Sequence, residues 1–326
     1  MLIMKIPFLS NIFNRKKRAG VEFVVAISGN GVHFAQVTLV AGRPRVATYA
    51  YHAVSGMKSS GITPALLEKI RKGMHVGDFQ FATLLAPGEY QLLQVEAPNV
   101  PEDELKAAVR WSIKDMLSYH IDDATLDVLH IPTNQAGGDR KKSLYVVVAP
   151  NDLIRRRGEL FERAHIDLNV IDIPEMAQRN IAKLYEHEGR ALALLAFDES
   201  GGLLTFTSDG ELFLARRIEI SLGQLQDAND TLRQQYIDRL ELELQRSIDH
   251  FDRQYSHLPL RRLLVSAPES AGITQILANG LDLPVEQLNL NEVMDLSAAP
   301  DLASDEARVY ALHALGAALR QEGRAQ

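Results

Sequence analysis

Residues 21–54 read VEFVVAISGNGVHFAQVTLVAGRPRVATYAYHAV, and residues 191–220 read ALALLAFDESGGLLTFTSDGELFLARRIEI. Both stretches have one plan. In the first, Val21–Ile27 is apolar enough for a buried strand. Ser28-Gly29-Asn30-Gly31 turns the chain, Val32–Leu39 alternates as a second strand, Ala41-Gly42 turns again, and Arg45–His52 is a third. In the second, Ala191–Phe197 is followed by the turn Asp198-Glu199-Ser200-Gly201-Gly202. Leu203–Thr207, the turn Asp209-Gly210 and Leu212–Ile220 complete it. Two such meanders, each followed by helices and further strands, predict a duplicated α/β lobe.

Between the meanders, Thr63–Met74 reads as a helix, and Phe79–Leu85 and Tyr90–Glu96 as strands. The stretch VPEDELKAAVRWSIKDMLSYHIDD (100–123) follows. Read as one helix, it puts Leu105, Ala108, Val109, Ile113, Met116 and Leu117 on a single stripe. Pro101 suits a first helical position, with Glu102, Asp103 and Glu104 at the positive end of the dipole. Trp111, the only tryptophan, falls on the flank, where another layer of the chain or a partner would cover it. A layer of the same chain is the commoner case. Ala124–His130 and Ser143–Val148 are strands, and Thr133–Arg140 is a polar loop. A helix follows Asn151, Val170–Ile173 is a strand, and Pro174 opens another helix to about Glu188. In the second lobe, Ile237, Leu240, Leu244, Ile248, Phe251 and Tyr255 mark one long helix over Asp230–Ser256. Arg262–Ser266 and Pro284–Leu290 are strands. Ala271–Ala278 is a helix with Gly280 as a left-handed cap, and Ala307–Arg320 is the last helix.

The chain has 326 residues and a net charge of −7. That length suggests two lobes, and the acidity argues against nucleic-acid binding by the body of the protein. The absence of cysteine excludes disulfides and thiolate metal sites. The ten histidines do not pair at metal-ligand spacing on one helix face, and there is neither a Walker loop nor a nucleophile elbow. No apolar run approaches the ~18 residues that cross a bilayer. Arg155-Arg156-Arg157 reads as a solvated helix face.

Residues 1–20, MLIMKIPFLSNIFNRKKRAG, carry a charge of +5. Phe8, Leu9, Ile12 and Phe13 precede the basic run Arg15, Lys16, Lys17, Arg18. This order is not that of a secretory signal. It suits an anionic membrane surface, where each basic side chain contributes about 1 kcal/mol. A soluble, unstructured leader is the alternative.

Several stretches resemble a known group. The run QLLQVEAPNVPEDELKAAVRWSIKDML (91–117), within Tyr90–Asp127, resembles MshI-type proteins of MSHA pilus biogenesis. With LELELQRSIDHFDRQY (240–255) and RRLLVSAPESAGITQIL (261–277), the chain is similar to the PilM-like components of type IV pilus assembly over about residues 20–315. The resemblance implies an actin-like fold of duplicated RNase H-like lobes around a cleft. The first lobe would be residues 21–86 with 168–189, carrying an inserted α/β subdomain at 87–167. The second would be 190–326, with the basic tail at 1–20 outside both. It also implies a cytoplasmic protein, peripheral on the inner membrane, that binds the cytoplasmic tail of a PilN-like membrane protein beside the inserted subdomain. Trp111 and Tyr119 are the candidate partner-binding residues. Phe8, Leu9, Phe13 and Arg15–Arg18 are the candidate membrane contacts.

In the actin-like group, each meander turn cradles phosphate and supplies an aspartate for Mg²⁺ or the attacking water. Here Ala26 stands at the first Asp position, Ser28 at the Gly position and His33 at the Lys position. The second Asp would fall at Ala196 or Phe197, with Asp198 and Glu199 one or two residues late. The adenine-side glycine pair reads Ala267-Pro268, and proline has no N–H to offer. A residual nucleotide site would consist of Ser28, Gly29, Asn30, Gly31, Asp198, Glu199, Gly201 and Gly202. With the acids out of register, the expectation is ordinary hairpin turns, no cofactor and no ATPase activity. The alternative is an actin-like ATPase that binds Mg-ATP through a shifted site. A type II secretion component of the GspL type is a third reading, disfavoured because that family carries its own membrane anchor.

Overall fold

The computed structural model describes residues 23–29, 31–54, 62–74, 79–132, 142–198 and 200–320. The tail residues Phe8, Leu9, Phe13, Arg15, Lys16, Lys17 and Arg18, the turn residues Asn30 and Glu199, and the loop 133–140 lie outside these. The described residues cluster into two compact units, 23–34 with 52–174 and residue 320, and 35–51 with 175–319.

The chain begins with strands β1 (Phe23–Ile27), β2 (Gly31–Val40) and β3 (Arg43–Ala53). Helix α1 (Pro64–Gly73) follows, capped by the Thr63 hydroxyl accepting from the Leu66 N–H, then β4 (Phe81–Leu84). A small antiparallel sheet comes next, made of β5 (Gln91–Glu96), β6 (Ala124–His130) and β7 (Ser143–Pro150), with α2 (Leu105–Ile113) between β5 and β6. Helix α3 (Asn151–Arg163), β8 (Leu168–Asp172) and α4 (Pro174–Ala182) lead to the second meander, β9 (Ala191–Asp198), β10 (Gly201–Ser208) and β11 (Glu211–Ile218). The remainder is α5 (Leu222–Leu225), α6 (Asp230–Gln254), β12 (Leu260–Ser266), α7 (Ile273–Gly280), β13 (Val285–Gln287), α8 (Leu290–Val293) and α9 (Asp305–Ala318).

Strand order makes the duplication explicit. One sheet runs β3-β2-β1-β4-β8 and the other β11-β10-β9-β12-β13, the same order when each sheet's strands are counted from its own first. In both, the first strand of the meander pairs in parallel with the strand after the next helix, β1 with β4 and β9 with β12. Strands β1 and β4 are buried throughout and β9 up to Phe197, which is why they read as apolar runs. The third sheet runs β5-β7-β6, with Gln94 opposite Tyr145 and Val128 opposite Val146.

Helix α6 buries Ile237, Leu240, Leu244, Ser247 and Phe251. Ser247 replaces the expected Ile248 on the stripe because its hydroxyl donates back to the Glu243 carbonyl at 2.6 Å. Phe251 stacks on Phe206 at 4.8 Å, and the Tyr255 ring meets Phe213 edge-on at 5.1 Å. Gly280 is not a left-handed cap. It ends α7, where a Cβ would lie 2.1 Å from a Glu241 carboxylate oxygen; the left-handed residue is Gly272, before the helix, at φ +66°. Helix α4 also stops earlier than expected, at Ala182.

Two ion pairs lie deep in the first unit. Asp172 accepts from its neighbour's N–H, Ile173, at 2.9 Å and from Arg320 Nη1 at 2.6 Å. Arg157 lies on the buried face of α3 with Ile154 and Phe161. It donates to the Leu84 carbonyl at 3.1 Å and to both Glu89 carboxylate oxygens at 2.7 Å. The arginine run is therefore not one solvated face. Arg155 and Arg156 are exposed and pair with Asp152 and Glu159, whereas Arg157 fastens α3 to the end of β4.

Candidate functional site

The first glycine turn is closed by its own backbone. The Ser28 N–H donates to the Gly31 carbonyl at 2.9 Å, and the Ser28 hydroxyl donates to the same oxygen at 3.1 Å. His33, at the position where a lysine would reach phosphate, is buried, with its Nε2 3.4 Å from the Ser28 hydroxyl. Both Ser28 donors are thus engaged within the hairpin.

The second turn is closed differently. Asp198 Oδ1 accepts from the Ser200 N–H at 2.8 Å and from its hydroxyl at 2.6 Å. Asp198 Oδ2 accepts from Arg217 Nη1 at 2.9 Å and Nη2 at 2.8 Å, and Nη2 also reaches the Ser200 hydroxyl at 3.1 Å. A guanidinium thus occupies one carboxylate oxygen while Ser200 occupies the other. Burial pushes the Asp198 carboxyl up, but the Arg217 charge and the Ser200 hydrogen bond outweigh it and hold the carboxyl below its ordinary range. His313 lies close by and donates from Nε2 to Gln178 Oε1 at 3.2 Å. Burial lowers it to about 4 against the pull of Asp198. Gln178 in turn donates to the carbonyls of Leu194 and Leu203 at 2.6 and 3.0 Å and to the Thr205 hydroxyl at 2.9 Å.

The glycines of this turn have a structural reason. A Cβ on Gly201 would lie 2.3 Å from the Ile218 carbonyl oxygen, at φ +143°, and one on Gly202 would lie 3.1 Å from Leu195 Cδ1. They admit β11 against the hairpin. At the adenine-side position, Gln287 donates to the Ala267 carbonyl at 2.7 Å. The Glu269 N–H is taken by Asp305 Oδ2 at 2.6 Å.

The structure puts Ser28, Gly29 and Gly31 together in the first unit and Asp198, Gly201 and Gly202 in the second. Arg217 was missed by sequence reasoning, which looked for carboxylates. Its signal is Arg216-Arg217 inside an otherwise apolar strand, since successive side chains point to opposite faces and both cannot face solvent alike.

The stretch 100–123 has a shorter helix than the pattern predicts. Glu104 N–H donates to the Pro101 carbonyl and Leu105 N–H to Glu102, so residues 101–104 form tight turns ahead of α2. After Ile113 the chain tightens to a 3₁₀ turn, Lys114–Met116, and leaves it at Leu117 in extended conformation. Leu105, Val109 and Ile113 pack on Ala124, Val128, Leu144, Val146 and Val148 of the small sheet, each stabilising by roughly 1.5–3 kcal/mol. Leaving the helix early turns Leu117, Tyr119 and Ile121 back onto this cluster and points Met116 outward. Tyr119 is therefore partly buried, with its hydroxyl lacking a hydrogen-bond partner and raised by burial.

Trp111 is 71% exposed, Met116 51% and Val100 36%. Among the described residues, the expectation that another layer of the chain covers the tryptophan is not met. Two of the nearby bases are engaged. Lys106 pairs with buried Asp127 at 2.5 Å, and Arg110 binds the carbonyls of Ala124 and Ile121.

Comparison with protein-family models and with curated proteins gives no match. Among solved structures, a PilM–PilN type IV pilus biogenesis complex matches at 18% identity and TM-score 0.74, covering 93% of this chain and 99% of that one. The cytoplasmic domain of EpsL, an inner membrane component of the Vibrio cholerae type II secretion system, matches at 14% identity and TM-score 0.42, over 64% of this chain and 76% of its own. A Bacteroides thetaiotaomicron protein with an actin-like ATPase fold and unknown function matches at 9% identity and TM-score 0.47, over 88% and 96%. The chain thus has the PilM-like, actin-like α/β fold of duplicated sheets, with the small β5-β7-β6 sheet as its extra element. Among the described residues, no helix is long and apolar enough to cross a membrane, and no group of three or more His, Cys, Asp or Glu is arranged to hold a metal.

Proposed function

We propose that this chain is a non-catalytic, actin-like scaffold of an MSHA-like type IV pilus assembly platform, on the cytoplasmic side of the inner membrane. It takes the short cytoplasmic segment of a PilN-like protein on the face of α2 that displays Trp111. The observation that carries the loss of catalysis is Arg217 seated on Asp198. Two N–H···O contacts neutralise the one described carboxylate of the second turn, and a Mg²⁺ ion would have to displace them. The observation that carries the docking face is an uncovered indole on a helix whose opposite side is fully packed. The likeness in fold to a PilM–PilN complex supports the choice of partner.

Titration of the full chain with a synthetic peptide of the PilN-like protein's cytoplasmic segment tests this. Trp111 fluorescence is the readout for the wild type and calorimetry for the variant. Micromolar binding is expected, weakened about tenfold or more by Trp111→Ala, as for an interface anchor. No binding by folded protein removes the partner reading. Calorimetry with Mg-ATP is expected to give no heat. Micromolar Mg-ATP binding abolished by Asp198→Ala would instead make the chain an ATP-binding protein with a shifted phosphate site.

A further inference from the structure

The docking face proposed above has a second candidate occupant in this same sequence. Lys114 follows Trp111 by three residues, and Glu104 and Asp115 bracket the helix, seven residues before and four after Trp111. Both are exposed, as are Asp103 and Asp123. Residues 100–123 carry six carboxylates against three bases, and Lys106 and Arg110 among those bases are held by Asp127 and by backbone carbonyls. The stretch thus displays an exposed indole, with Met116 and Val100 also exposed, and carries an excess of carboxylates.

Residues 1–20 are its complement in both respects. They contain no acid, five bases, and the apolar side chains Phe8, Leu9, Ile12 and Phe13 ahead of the basic run. Phe8 lies fifteen positions before Phe23, where β1 starts, a reach of about 50 Å when extended. A compact unit of this size has a radius of gyration of only about 14 Å. A tether of this length presents the segment at an effective concentration of order millimolar, so even a weak contact is populated within one chain.

We infer that residues 1–20 dock on the Trp111 face of their own chain and shield it until a partner segment or an anionic membrane claims one side of the contact. This rests on the partner reading above and adds its regulation: a tail bound to lipid cannot cover α2, and a covered α2 cannot take the partner.

The test uses Trp111, the chain's only tryptophan, in full-length protein at low salt. Acrylamide quenching is compared between wild type and a variant with Arg15→Glu, Lys16→Glu, Lys17→Glu and Arg18→Glu. Reversing the four charges is expected to lower the docked-to-free ratio about tenfold or more and to raise quenching toward that of a free indole. The conservative pair Arg15→Lys and Arg18→Lys should keep the protection. Protection that persists on dilution supports docking within one chain; protection that fades on dilution assigns it to a second copy and overturns the inference. Equal quenching in wild type and charge-reversed protein also overturns it. Neither result bears on peptide binding by the charge-reversed variant, so the partner reading stands or falls separately.

Discussion

The two glycine hairpins occupy equivalent places in equivalent sheets, yet they are closed by different chemistry. The first, at 28–31, is held by a backbone hydrogen bond and a serine hydroxyl beside a buried histidine. The second, at 198–202, is held by a carboxylate–guanidinium pair and by backbone packed too closely for any side chain at Gly201. The difference teaches that glycine hairpins at equivalent places can be closed in more than one way. A neutral turn needs only its own donors consumed, whereas a turn that keeps a carboxylate must supply a cation.

The sharpest way to break this comparison is Gly201→Ala. Strain at φ +143° and the overlap with the Ile218 carbonyl should destabilise the protein by about 4 kcal/mol, read as a lower denaturant midpoint. An effect below 1 kcal/mol would mean that the second hairpin is as permissive as an ordinary turn.

The second test concerns acid. His313 is held neutral in the folded protein, with its pKa lowered from 6.5 to about 4. Between these values the unfolded chain binds a proton that the native chain does not. Stability is therefore full above pH 6.5, falls as pH drops through the window, and levels off below about pH 4. A shift from 6.5 to about 4 bounds the loss at about 3 kcal/mol. Denaturant titrations between these pH values should show the slope in wild type and a flatter line in His313→Gln. Parallel lines would detach His313 from the chemistry of the second hairpin.

The smallest effect belongs to the first turn. Ser28→Ala removes one partly buried hydroxyl hydrogen bond while the backbone bond to Gly31 remains, so a loss of about 1 kcal/mol is expected in thermal unfolding. A loss as large as that of Gly201→Ala would erase the distinction between the hairpins.

Most of the fold was legible because its signals are local. Buried strands read as apolar runs, turns as glycine pairs, and α6 as a stripe at steps of three and four. What escaped was tertiary. The acids after Pro101 look like a helix start, but tight turns absorb them and α2 begins at Leu105. Met116 fits the stripe only if the helix continues, and the chain leaves it at Leu117. Arg157 was hidden in a basic run, although its spacing from Ile154 and Phe161 marks the buried face. At the candidate site, Asp198 and its glycines could be singled out from the sequence. The arginine that closes the turn could not, because it sits on a different strand, 19 residues from Asp198.

The pairing of Asp172 with Arg320 has a consequence for biosynthesis. The two residues are separated by 148 positions, and at 5–20 residues per second, ~7–30 s of translation divides their emergence from the ribosome. During that interval, closing β8 into its sheet would bury an aspartate with no counter-charge. The first unit is thus begun early on the ribosome and sealed among the last, by a guanidinium that arrives only after the second unit's strands have all been made.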